Sequence, residues 1–94
     1  GDLTVIEEVL ELFRQQAGLW SGMLDPSFEG WRDAVHTIKG AARGVGAFQL
    51  GEACAQAEIH GADKLRSVRN ALDMALADVA AYSHELALRS LKGR

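Results

Sequence analysis

Six apolar residues, Phe28, Trp31, Val35, Ile38, Ala42 and Val45, follow one another at alternating intervals of three and four. That period belongs to one face of an α-helix and not to a strand, whose side chains alternate at every second residue. A chain organised by such a stripe buries it against other helices. The rest of the sequence agrees: fifteen Ala and twelve Leu stand against one Pro, and beyond Ala47 the only β-branched residues are Ile59, Val68 and Val79. These are the preferences of a helical protein. Ninety-four residues suffice for one core and fall short of two, so residues 1–94 read as a single all-α domain.

Three further stripes flank the first. Ile6, Val9, Leu10, Phe13, Ala17, Trp20 and Leu24 mark one face of an opening helix, with Asp2 or Thr4 as its N-cap and Glu7, Glu8 and Glu11 in or near its positive first turn. Gly18 and Gly22 weaken its end, where a kink or fraying is expected. Asp25-Pro26-Ser27 is the clearest break, and Pro26 suits the start of the next helix. Gly44-Val45-Gly46 ends that second helix with a glycine able to take the left-handed cap conformation. A third helix carries Ala47, Leu50, Cys54 and Ala57 inward and stops near His60-Gly61. The fourth runs from about Asp63 with Leu65, Val68, Leu72, Leu76, Val79, Tyr82 and Leu86 inward. Short connections favour antiparallel neighbours, so the expected architecture is an antiparallel up-down four-helix bundle.

Composition excludes several functions. Ten Lys and Arg against thirteen Asp and Glu leave a net charge of −3, which argues against general nucleic-acid binding and leaves room for a small local cationic patch. The longest uncharged stretch, Gln15 to Leu24, is too short and polar to span a bilayer, and no secretory signal is visible. Cys54 is the only cysteine, so no disulfide staples the chain, and a cytoplasmic setting fits best. Gly1 in place of an initiating Met suggests an excised or processed chain.

Moving the second helix's core positions forward by one residue gives Arg32, His36, Lys39 and Arg43, a stripe beside the core seam. Lys39 and Gly40 are three and four residues from His36, on the turn next to the imidazole. A glycine inside a helix costs roughly 1 kcal/mol against alanine; what it supplies here is bare backbone on which another molecule can land. The same shift on the third helix gives Gly51 and Glu58. His36 lies nine residues before Val45 and Glu58 thirteen after it, and the lean of side chains toward their helix N-termini narrows the gap. A carboxylate on Nδ1–H would fix the tautomer and leave the Nε2 lone pair open for attack.

The run His36-Thr37-Ile38-Lys39-Gly40-Ala41-Ala42, followed by Gly46-Ala47, Leu50, Cys54 and Glu58, resembles the signature of histidine phosphotransfer (HPt) domains, the phosphohistidine carriers of two-component phosphorelays. The motif covers about a quarter of the chain, and the four-helix layout matches most of the rest. The resemblance implies that His36, exposed mid-way along the second helix, is phosphorylated, that Lys39 assists the phosphoryl group, and that Gly40 admits a receiver domain. Glu58 matches a position where the family often has a carboxylate or amide on the imidazole. Ala41-Ala42 replaces the Ser often found there. Arg43 falls at a variable position; spacing alone suggests it for phosphoryl stabilisation or, with Arg32 and Gly40, for the docking face. The implied partners are response-regulator receiver domains and a hybrid sensor kinase, with Mg²⁺ supplied by the receiver and no cofactor bound by this chain.

Each residue also has a plainer reading. A lone surface histidine is usually solvated, Lys39 alone is a surface charge, Gly40 could serve helix packing, and Glu58 could be a solvated helix-end residue. Their joint spacing carries the case. Cys54 reads as a small core residue and His60 and His84 as unassigned; Cys54, Glu58 and His60 lack a metal-ligand spacing, and His84-Glu85 lacks the second histidine of a zinc-protease motif. No nucleotide-binding glycine motif is present, so autophosphorylation from ATP is not expected. Phe13, Trp20, Phe28 and Trp31 read as core anchors. The competing functions are a phosphoacceptor domain of a larger chemotaxis-type kinase and a non-catalytic helical adaptor that kept the fold. All four seams lie in one chain, which favours a monomer.

Overall fold

The computed structural model describes residues 2–92, with side-chain surroundings for residues 4–91. Four helices appear in order: α1 (Asp2–Ser21), α2 (Trp31–Gly44), α3 (Phe48–His60) and α4 (Leu65–Lys92), the last entered through a 3₁₀ turn at Ala62–Lys64. No strand occurs among the described residues.

The middle of every stripe is where the period places it. Phe13, Ala17, Trp20 and Leu24 meet Val35, Ile38 and Ala42 of α2, Leu50, Cys54 and Ala57 of α3, and Leu65, Val68, Leu72 and Val79 of α4 in one buried cluster. The Phe13 and Trp20 rings pack edge to face with centroids 5.7 Å apart. Ala34 and Ala75 join the buried set, one position off the expected seams.

The ends of the stripes differ from expectation. Pro26 does not open α2. Asp25 Oδ1 accepts hydrogen bonds from the Ser27 N–H at 2.8 Å and the Ser27 hydroxyl at 2.7 Å, and the Phe28 N–H donates to Asp25 O at 3.0 Å. The two Ser27 bonds hold the Asp25 carboxyl below its usual range, and the Phe28 bond closes Asp25–Phe28 as a β-turn with Pro26 at its second position. Phe28 is therefore outside the helix. It stays 41% exposed, its ring folded over Gly30, where any Cβ would stand 2.8 Å from the ring edge. Trp31, 8% exposed, is the first buried residue of α2.

Thr4 lies inside α1 and does not cap it, while the Asp2 side chain falls outside the described residues. The helix runs through Gly18 and ends one residue before Gly22. Ile6, Val9 and Tyr82 remain partly exposed because α1 and α4, with 20 and 28 residues, outlast α2 and α3, with 14 and 13. At the α2–α3 turn this leaves an apolar groove of about 720 Å³.

That turn is a Schellman motif. The Ala47 N–H donates to Ala42 O at 2.8 Å and the Gly46 N–H to Arg43 O at 3.4 Å, with Gly46 at φ +79°. It reverses the chain so that Arg43 meets Gly51 close to the turn, while Lys39 and His36 meet Glu58 further from it. The turn thus sets the register of the functional site.

Candidate functional site

His36 occupies the sixth position of α2, one residue past buried Val35, and its side chain is 74% exposed. Across from it Glu58 rises from the last turn of α3. His36 Nδ1 stands 3.0 Å from Glu58 Oε2. An ionised carboxylate only accepts, so the proton on this bond belongs to Nδ1, and the Nε2 lone pair faces outward.

The second carboxylate oxygen is taken as well. Lys39 Nζ donates to Glu58 Oε1. The lysine side chain is only 20% exposed. Two donors on one carboxylate, Lys39 foremost and His36 second, hold the Glu58 carboxyl below its ordinary value of 4.5. Glu58 is therefore an anion at neutral pH, held between an imidazole and an ammonium.

Beyond its chain neighbours and the backbone of its own helix, Gly40 has no atom within 4 Å of where a Cβ would stand, so no packing contact inside the molecule requires a glycine there. Arg32 shares the stripe, one turn before His36, but its guanidinium carbon lies 4.5 Å from the Trp31 ring centre. Arg43 lies over Gly51: a Cβ on that glycine would stand 3.4 Å from Arg43 Cγ and 3.8 Å from Nε. Cys54 sits one turn before Glu58, fully buried, its thiol pushed up to about 11 by burial and then by the Glu58 charge. It is a packing residue, not a nucleophile.

The structure thus gathers His36, Lys39 and Glu58 into one hydrogen-bonded group, sets Gly40 open beside it, and holds Arg32 and Arg43 apart on either side. Sequence reasoning missed the sharing of Glu58 by Lys39, the seat of Arg43 on Gly51, and the second role of Trp31 as a platform for Arg32. Only the adjacency of Trp31 and Arg32 carried a signal beforehand. Among the described residues no three His, Cys, Asp or Glu side chains gather as a metal site, and no helix is long and apolar enough to cross a membrane.

Comparison with known proteins bears on this geometry. The family model described as the Hpt domain matches residues 3–87. The crystal structure of the histidine phosphotransferase ShpA from Caulobacter crescentus superposes with a TM-score of 0.85 and is 61% identical, the match covering 97% of this chain and 86% of that one. No curated protein matches the sequence significantly. With the family model matching from α1 into α4 and a solved histidine phosphotransferase 61% identical to it, this chain belongs to the Hpt domain family.

Proposed function

We propose that this protein carries a phosphoryl group on His36 between receiver domains of a two-component phosphorelay. The observation that supports it best is the shared Glu58 carboxylate: it holds His36 as the Nδ1–H tautomer with Nε2 exposed, in a chain 61% identical to a histidine phosphotransferase.

In the proposed step the Nε2 lone pair attacks the phosphorus of a receiver's aspartyl phosphate in line. The N–P bond forms as the P–O bond breaks, and the aspartate leaves as a carboxylate with the electron pair. The imidazole becomes a phosphorylated cation, whose charge Glu58 faces at Nδ1. The reverse step passes the group on. The transition state is loose and rich in negative charge, so positioning and nearby cations do the catalytic work. Lys39 provides the nearest cation, three residues from His36 on the adjoining turn. Gly40 clears the approach. Arg32 and Arg43 belong to the docking face, and Mg²⁺ comes from the receiver domain.

The same reading takes residues 1–94 as one domain, an antiparallel up-down four-helix bundle acting as a monomer in the cytoplasm, with receiver domains and a hybrid sensor kinase as partners. Incubation with a phosphorylated receiver domain tests it. The expected result is acid-labile, base-stable label on the wild-type chain and none on a folded His36→Gln variant. Equal labelling of that variant would overturn the assignment.

A further inference from the structure

Two of the three cations on the His36 stripe are engaged within the molecule. Lys39 is bonded to Glu58, and Arg32 rests on the Trp31 ring. Arg43 is placed differently. Its Cγ and Nε both pass the bare backbone of Gly51, so the side chain crosses from α2 onto α3 instead of running along α2 toward the imidazole. Among the described residues it belongs to no ion pair. Arg43 and Gly51 each lie seven residues on the turn side of His36 and Glu58, or about 10 Å along their helices. Arg43 therefore points at neither the imidazole nor a phosphoryl group on Nε2, yet it lies on the face that carries both.

We propose that Arg43, seated on Gly51, is the residue that contacts an anionic side chain at the rim of the partner receiver domain, and that Gly51 is the positioning residue holding it there. This rests on the phosphotransfer reading above. The physical case is one of availability. To meet a partner's carboxylate, Lys39 must first leave Glu58, which exposes an anion and loosens the histidine. Arg43 has no such bond to break. A guanidinium already laid along a helix loses less rotamer freedom on binding than a free one, and its fork suits a carboxylate. A charge at this distance from the reacting atoms acts on encounter and affinity and leaves the chemical step alone.

Gly51 supplies the discriminating variants. An alanine methyl meets Arg43 Cγ at 3.4 Å, an ordinary contact, whereas a leucine fills the space the arginine occupies. Phosphotransfer from a receiver domain charged with acetyl phosphate and Mg²⁺ is followed at increasing receiver concentration and at low and high salt, with circular dichroism to verify folding. Arg43→Gln and Gly51→Leu should each raise the half-saturating receiver concentration roughly fivefold at low salt, leave the maximal transfer rate unchanged, and flatten the salt dependence. Gly51→Ala should restore the affinity lost in Gly51→Leu, and the double variant Arg43→Gln/Gly51→Leu should be no worse than either single one. Normal half-saturation in Arg43→Gln, additive losses in the double variant, or equal damage from Gly51→Ala and Gly51→Leu would overturn the proposal. A wild-type chain that takes no label on His36 overturns the phosphotransfer reading itself.

Discussion

His36 and Glu58 are twenty-two residues apart in the chain and 3.0 Å apart in space, Nδ1 against Oε2. Because Glu58 accepts and cannot donate, this contact selects one imidazole tautomer. Glu58→Ala should return His36 to the mixture of a solvated histidine, visible in the ¹⁵N shifts of its ring. Transfer should slow by about 10- to 100-fold, the worth of a hydrogen bond to a charged group. Unchanged ring shifts in the variant would rule out this role.

The lowered carboxyl pKa of Glu58 makes a statement about stability. Its contacts with Lys39 and His36 favour the ionised form in the folded state, so their stabilisation is complete above the ordinary value of 4.5 and is lost as pH falls through the lowered one. The gap in melting temperature between wild type and Glu58→Gln should be steady from neutral pH down to about 5, then close in acid. A gap that widens in acid would contradict the assignment.

Gly40 separates stability from docking. With open space around it, Gly40→Ala should stabilise the helix by about 1 kcal/mol and raise the melting temperature by about 4–8 °C. Gly40→Leu should fold equally well but slow transfer from a receiver by about tenfold or more, as its side chain obstructs the partner. Wild-type transfer rates in Gly40→Leu would refute this account.

Cys54 should resist Ellman's reagent at pH 8 in the native protein, where it is buried and its thiol is pushed up to about 11. It should react at once in denaturant. Rapid reaction of the folded chain would show that α3 opens locally far more easily than its packing implies.

The stripes were legible in the sequence wherever a helix had neighbours along its whole length. Val35, Ile38, Ala42, Leu50, Cys54, Ala57, Val68 and Leu72 are buried as their spacing requires. The ends were not. Phe28 has the correct spacing but lies in a turn that Asp25 and Ser27 close by hydrogen bonding, and Ile6 and Val9 point correctly yet reach past the α2–α3 turn. Periodicity reports which side of a helix faces inward; it carries no information on where the partner helix stops.

The site divides along the same line. Sequence by itself determined that His36 stands one residue off the buried seam, with Lys39 and Gly40 on the adjoining turn, because these are offsets within one helix of known pitch. It also placed Glu58 and Gly51 on the matching stripe of the next helix. Only the tertiary structure decided that Lys39 shares Glu58 with His36, that Arg43 lies on Gly51, and that Arg32 rests on Trp31. The first two depend on the height and rotation of α3 against α2, which the Gly46 turn and the packing of Ile38, Ala42, Leu50 and Cys54 set together. The third depends on a rotamer. A local period fixes none of these quantities, since each is a balance of contacts between residues far apart in the chain or free to turn about their own bonds.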